Sequence, residues 1–122
     1  MAIRTTLAAI LLVAAAPAAR ADGDAAAGRT VFQKCAPCHS VEAGVNRLGP
    51  NLHGIVGRRW GSVEGFAYSP ALRAADRRWD AASLDGYLAD PKGFAPGTRM
   101  IFAGLKDAKD RQELIAYLAT LP

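Results

Sequence analysis

The sequence lacks a strong excess of charge of either sign. Its 122 residues include 15 Lys and Arg against 11 Asp and Glu, a formal net charge of +4. Hydrophobic residues make up 51% of the chain and charged residues 21%. This balance excludes collagen-like, low-complexity and strongly charged disordered chains, and the length fits one ordinary globular domain. So small a basic excess gives no reason to expect a nucleic-acid partner.

The chain also lacks an apolar run long enough to cross a bilayer, which takes about 20 residues. The longest run, Leu7–Ala16, ends at Pro17. Arg4 before it and the small-residue site Ala19–Ala21 after it are typical of a cleavable signal peptide, which is favoured over a membrane anchor. We therefore expect residues 1–21 to be removed by cleavage after Ala21, leaving one exported domain, 22–122. Loss of Arg4 and Arg20 from the 15 cations leaves 13 against 11 anions, a formal charge of +2.

Cysteine is scarce, and its placement is informative. The two cysteines fall in Cys35-Ala36-Pro37-Cys38, followed at once by His39. A disulfide closing so short a loop would constrain little of the unfolded chain. A thioredoxin-like dithiol would need βαβ strands, which the sequence lacks. Cys-x-x-Cys-His is the attachment pattern of c-type haem: the thiols form two thioethers and the imidazole reaches the iron.

Few side chains could take the sixth position on such an iron. Met100 is the only methionine after residue 21, and His53 is the only histidine besides His39. Either could instead be an ordinary structural residue. Met100 follows a Pro96-Gly97 turn that fixes the backbone just before the sulfur, so Met100 is favoured over His53.

No alternating strand pattern of any length is present, which favours an all-α fold. Four helices are predicted, each from its N-cap: Asp24 to about Lys34, Ser69 to about Ala75, Asp80 to Asp90, and Asp107 or Ala108 through Leu121. Gly28 inside the first helix indicates close packing against another backbone. So little apolar helix, with long loops between, is short of a stable core unless a bound porphyrin supplies its centre.

At this point the sequence resembles the class I c-type cytochromes, and is similar to mitochondrial cytochrome c and its short bacterial periplasmic relatives. The resemblance covers essentially all of 22–122. Besides the haem motif it is carried by Gly28 and Phe32, Gly49-Pro50-Asn51-Leu52-His53-Gly54, Arg58, Gly65-Phe66-Ala67-Tyr68, Trp79, Tyr87-Leu88, Pro91, Pro96-Gly97-Thr98-Arg99-Met100-Ile101-Phe102-Ala103-Gly104 and Leu114-Ile115-Ala116-Tyr117-Leu118.

The resemblance implies an all-α cytochrome c fold of four to five helices around one covalently bound haem. It implies thioethers at Cys35 and Cys38, iron ligation by His39 and Met100, and a Pro50 carbonyl that takes the His39 N–H. Hydrogen bonds to the haem propionates are implied for Arg58, Tyr68 and Trp79, with Tyr87 and Thr98 beside the Met100 sulfur and the second propionate. Buried carboxylates need such donors, although core packing alone is the plainer reading of Trp79 and Tyr87. One departure is Leu72, where the family usually carries an asparagine, so a drier pocket is expected.

These observations predict a soluble periplasmic electron carrier with no substrate chemistry of its own. Its redox partners would be a donor such as a cytochrome bc1-type complex or a dehydrogenase and an acceptor such as a terminal oxidase or reductase. It would contact the membrane only through them and act as a monomer. Docking is expected at a basic haem edge formed by Lys34, Arg47, Lys92, Arg99 and Lys106. The alternatives are a haem subunit permanently docked to a periplasmic oxidoreductase and, disfavoured by Met100, a haem sensor or peroxidase.

Overall fold

The structure, a computed structural model, describes residues 23–122. The predicted signal peptide and its cleavage after Ala21 lie outside the described residues. Within 23–122, no helix is both long and apolar enough to cross a membrane.

Five helices and long irregular segments make up the described chain, which confirms the all-α prediction. The helices are α1 (Ala25–Val31), α2 (Pro70–Ala74), α3 (Ala81–Ala89), α4 (Pro91–Phe94) and α5 (Ala108–Leu118). A single 3-10 turn, Phe32–Lys34, extends α1 to the predicted end. Between 23 and 122 the only β-type pairing is one antiparallel bridge, Arg59 to Arg78.

Side-chain caps explain where these helices begin. Asp24, Ser69, Asp80 and Asp107 each accept a hydrogen bond from a backbone N–H of the first turn, as predicted. The sequence reading missed α4. Asp90 ends α3 before Pro91, and its carboxylate then accepts from the Gly93 N–H at 3.1 Å, so one residue both ends a helix and caps the next.

Helices α1 and α5 cross at Gly28. A Cβ added there would lie 1.8 Å from the Glu113 carbonyl oxygen and 2.8 Å from Cβ of Tyr117, so only glycine lets the two backbones approach. One turn further on, the Phe32 and Tyr117 rings pack with centroids 5.6 Å apart. The crossing fixes the segment that leads into Cys35.

Helix α5 is also tied to α3. Arg111 Nε donates to Asp85 Oδ1 at 2.7 Å, while Arg111 Nη1 donates to the carbonyls of Leu105 and Lys106 at 2.9 and 3.0 Å. Leu114 and Leu118 of the same helix are almost completely buried. The helices thus form a frame, and the segments 35–69 and 95–107 lie between its elements.

We predict that Gly28→Ala lowers the free energy of unfolding of the haem-bound protein by about 3 kcal/mol or more, because the new methyl meets backbone that cannot move aside. Urea denaturation measures this. Gly86→Ala is the matched control: it also lies within a helix, but its Cβ would meet the edge of the Phe94 side chain, 2.7 Å from Cε2, and a side chain shifts more readily than a backbone. An equal loss for both variants would contradict the backbone-contact explanation.

Candidate functional site

An apolar cavity of about 340 Å³ lies at the centre of the frame. That volume falls in the range of ligand-binding pockets. Ile55, Leu84, Leu114 and Leu118 supply buried aliphatic walls. The ten site residues predicted from the sequence all line it: Cys35, Cys38, His39, Pro50, Arg58, Tyr68, Trp79, Tyr87, Thr98 and Met100. Residues spread over 66 positions of sequence are therefore brought to one space.

The His39 imidazole is held by contacts with the backbone of Gly49 and Pro50. His39 Nδ1 lies 2.7 Å from the Pro50 carbonyl oxygen, which can only accept, so Nδ1 carries the proton. Gly49 packs directly on the ring, since a Cβ there would lie 2.4 Å from His39 Cε1. The Gly49 N–H is itself fixed by the Cys38 carbonyl at 2.8 Å. This arrangement leaves Nε2 without a proton and available as a ligand.

Burial lowers the pKa of His39 below its ordinary value. The bond to the Pro50 carbonyl acts in the opposite direction, and the nearby Arg58 cation lowers the pKa further. Because the lowered pKa favours the uncharged ring at neutral pH, the imidazole is in the form that binds a metal.

Cys35 and Cys38 both line the cavity and are unbridged. A backbone turn places them, with the Cys38 and His39 N–H groups both donating to the Cys35 carbonyl at 3.0 and 2.9 Å. Burial raises the pKa of the Cys35 thiol, the nearby Cys38 raises it further and Lys34 lowers it. The raised pKa does not favour a thiolate at Cys35, so this thiol is poorly suited to attack as part of a redox dithiol.

Hydrogen bonds with Tyr87 and Thr98 hold Met100 at the cavity. Tyr87 Oη lies 2.8 Å from Thr98 Oγ1 and 3.9 Å from Met100 Sδ, and the Met100 N–H donates to Thr98 Oγ1 at 3.4 Å. Burial raises the pKa of Tyr87, so the phenol keeps its proton, which can be donated to the sulfur or to Thr98 Oγ1. The thioether is thereby oriented by two hydroxyl side chains.

Arg58 and Tyr68 supply polar donors to the cavity wall. Arg58 Nη1 donates to the carbonyls of Asn51 and His53 at 2.9 and 3.1 Å. Burial lowers the pKa of Arg58 and raises that of Tyr68, so a desolvated cation and a neutral phenol face the same space. Tyr68 Oη accepts the Val63 N–H at 3.1 Å, which leaves its own proton free to be donated. Both groups can therefore serve a buried anion.

His53 and Leu72 lie differently. His53 is not among the cavity-lining residues, and its Nδ1 is 3.3 Å from the Val41 carbonyl oxygen. Leu72, the departure from the family pattern, lines the cavity with an apolar side chain.

The sequence reading missed Trp60. Its indole is buried at 4% exposure and stacks on the Trp79 indole, with ring centroids 4.4 Å apart and 24° between the planes. The Arg77 guanidinium lies over the same Trp60 ring at 4.2 Å. The available signal was the repeated triplet Arg-Arg-Trp, at 58–60 and again at 77–79.

Comparison with known proteins accounts for this constellation. The cytochrome c family profile matches residues 25–122. The chain belongs to the cytochrome c family. It is 50% identical over 100 residues to cytochrome c of Gibberella zeae, covering 80% of this chain and 94% of that protein. Against cytochrome c2 of Rhodoplanes tepidamans the identity is 45% over 97 residues, covering 79% and 91%. The solved structure of cytochrome cH from Methylobacterium extorquens aligns with a TM-score of 0.75 at 45% identity, covering 80% of this chain and 99% of that one.

Membership makes the chain a haem-containing electron-transfer protein, from a family of carriers rather than enzymes, with one covalently attached haem c and its iron. The described residues fit that group. They combine an apolar cavity with two unbridged thiols, an unprotonated imidazole nitrogen and hydroxyl and guanidinium donors. Within 23–122 no group of three or more His, Cys, Asp or Glu is placed to hold a metal ion.

Removing the haem should unfold the chain. At about 24 cal/mol per Å³, an unfilled cavity of about 340 Å³ costs about 8 kcal/mol, against a total stability of about 5–15 kcal/mol for a domain. We expect the haem-free chain, after chemical cleavage of its thioethers, to lose most of its far-ultraviolet helical signal. The control is haem-bound protein that is carried through the same steps without the cleaving reagent. A haem-free chain that keeps native helicity and melts cooperatively would contradict this expectation.

Proposed function

We propose that the protein is a soluble periplasmic electron carrier whose haem c is attached at Cys35 and Cys38 and ligated by His39 and Met100. The observation that carries the proposal is that the Met100 sulfur and the His39 ring line the same apolar cavity, each already oriented by its own hydrogen bonds. When bound, haem c supplies an iron that gains or loses one electron.

The chain's own residues then have distinct tasks. Pro50 keeps the proton on His39 Nδ1, so that Nε2 offers its lone pair in both oxidation states. Tyr87 and Thr98 would hold the Met100 thioether in the same place in both oxidation states of a bound haem c.

Arg58, Tyr68 and Trp79 are proposed to donate to the haem propionates. Arg58 and Tyr68 each keep donor capacity after their protein contacts, and Trp79 lines the cavity while 7% exposed. Thr98 is assigned to the second propionate, beside Tyr87. Donors at this wall offset the penalty of bringing carboxylates near an apolar cavity. Leu72 contributes no donor, which supports a drier pocket than the family's usual asparagine would give.

Periplasmic location rests on the N-terminal sequence, whose charged start, apolar run and small-residue site are typical of an exported chain. The partners proposed are a membrane or periplasmic donor, such as a bc1-type complex or a dehydrogenase, and an oxidase or reductase as acceptor. A permanently docked haem subunit remains the alternative. A sensor or peroxidase is disfavoured because Met100 is well placed to close the sixth position.

The docking surface is proposed where the cavity opens to solvent. Ile101 and Leu48 line the cavity and are 100% and 83% exposed, so both apolar side chains are available to a partner at the opening. Lys34 and Arg99 also line the cavity, and Arg47, Lys92 and Lys106 are the other exposed cations proposed for this edge. A small apolar contact inside a basic rim suits a short-lived complex with an acidic partner.

Ligation is tested with Met100→Ala. We expect the oxidised variant to lose the weak near-infrared sulfur-to-iron band and to have a lower reduction potential, since Met ligation favours the reduced iron. The matched control is His53→Ala, which should keep both the band and the potential because His53 lies outside the cavity lining. A band that survives Met100→Ala, or that is lost in His53→Ala, would show that the ligand assignment is wrong.

Docking is tested by the rate at which ferricyanide, a small anionic oxidant, oxidises the reduced protein across a salt series. The rate should fall as salt rises, because screening acts beyond about 8–10 Å, although the formal charge of 22–122 is only +2. Lys92→Glu should slow the low-salt rate about threefold. Lys34 is the poorer choice, since it contacts Asp110 at 3.6 Å.

Lys109→Glu is the charge-matched control for that series. Lys109 is 83% exposed and lies in the first turn of α5, outside the cavity lining, where an acidic side chain suits the helix dipole. Its contact with Glu113, at 3.4 Å, lies within one helix, whereas the contact of Lys34 with Asp110 joins two elements. It should change the rate much less than Lys92→Glu does. A flat salt response of the native protein, or equal effects of the two reversals, would remove the basic-edge proposal and favour apolar or permanent docking.

A further inference from the structure

Two copies of the triplet Arg-Arg-Trp face each other in the fold. The central residues, Arg59 and Arg78, form the antiparallel bridge. The backbone N–H of Trp60 donates to the Arg77 carbonyl at 2.8 Å, and the backbone N–H of Trp79 donates to the Arg58 carbonyl at 2.9 Å. Because successive side chains alternate between the two faces of a paired segment, the outer residues of both triplets share one face.

That shared face is layered. Trp79 and Arg58 line the cavity, whereas Trp60 does not and instead stacks behind Trp79. The Arg77 guanidinium carbon lies 4.2 Å from the Trp60 ring centroid. Since the Trp79 indole covers one face of Trp60, the guanidinium lies over the other. The order from solvent to cavity is therefore Arg77, Trp60, Trp79.

The Trp60 side chain is held by its ring and not by its polar atom. Trp60 Nε1 is buried and has no hydrogen-bond partner among the described residues. An unpaired buried N–H is unfavourable by about 1–3 kcal/mol. What Trp60 contributes is thus ring area against Trp79 and a π face for the Arg77 cation.

We propose that Trp60 is a positioning residue that, clamped by Arg77, holds the Trp79 indole at the cavity wall and thereby raises the reduction potential of the haem. This rests on the proposed function, in which the indole N–H of Trp79 donates to a haem propionate. A Trp79 ring free to tilt would weaken that donation and admit water at the same wall. Both changes favour the more positively charged oxidised iron and lower the potential.

The test is the reduction potential of the haem-bound protein, measured by spectroelectrochemical titration for Trp60→Leu and Trp60→Phe. At a fixed solution potential, Trp60→Leu should lower the ratio of reduced to oxidised protein by about fivefold, the size expected for weakening one hydrogen bond. Trp60→Phe keeps a stacking ring and discards only the unpaired N–H, so its ratio should stay within about twofold of native. A native potential in Trp60→Leu, with only its stability lowered, would overturn the proposal. So would a Phe variant that shifts as far as the Leu variant.

A second pair of variants decides the matter even where Trp60→Leu fails to hold haem. Arg77→Gln removes the cation from the Trp60 ring. Arg78→Gln removes the same charge from the neighbouring position, where the guanidinium donates to the Gly57 carbonyl at 2.9 Å instead. Both variants remove one exposed cation, and Arg77→Gln should lower the reduction potential further than Arg78→Gln does. Equal shifts would show a general charge effect and overturn the clamp.

The near-infrared sulfur band, recorded on the same samples, separates this inference from the proposed function. If native protein shows the band and the Trp60 and Arg77 variants keep both band and potential, the positioning role alone fails. If native protein lacks the band, the axial assignment fails, whereas the potentials of the matched pairs still report on Trp60.

Discussion

The structure depends on a central space that the polypeptide does not fill. About 340 Å³ remains between the helices, and its walls are aliphatic and aromatic side chains that would otherwise pack on one another. Within 23–122 the longest helix, α5, has 11 residues, and α2 and α4 have five and four. Helices this short are marginal alone. The covalently attached haem c of this family supplies the missing centre and makes long loops compatible with a stable domain.

Backbone contacts orient His39 at that space, and side-chain hydroxyl groups orient Met100. The Pro50 carbonyl and the backbone of Gly49 fix His39, and the hydroxyls of Tyr87 and Thr98 fix Met100. Neither set requires a long helix, because each is built from residues in loops or at the inner face of α3. Gly28 has a separate role, because it lets α1 and α5 cross closely at one end of the domain. The loops can then follow the shape of the ligand.

Most of the fold, and ten of the residues that line the cavity, could be predicted from the sequence. Asp24, Ser69, Asp80 and Asp107 are short-range caps whose effect is confined to the next turn. The haem motif specifies its ligand by composition and spacing. Trp60 and α4 could not be predicted in the same way. Helix α4 depends on Asp90, which both ends α3 and caps α4. The position of Trp60 depends on its backbone hydrogen bond to Arg77, 17 residues later in the chain. Such contacts are set by tertiary structure, which no local pattern records.

The central proposal is that His39 and Met100 close the two axial positions of the iron inside this cavity. X-ray absorption at the iron edge of the haem-bound protein tests it directly. We expect nitrogen neighbours and one sulfur neighbour in both the oxidised and the reduced protein, with the sulfur lost in Met100→Ala. Nitrogen neighbours alone in the native protein would contradict it, and would mean that the cavity closes around the haem with a different ligand.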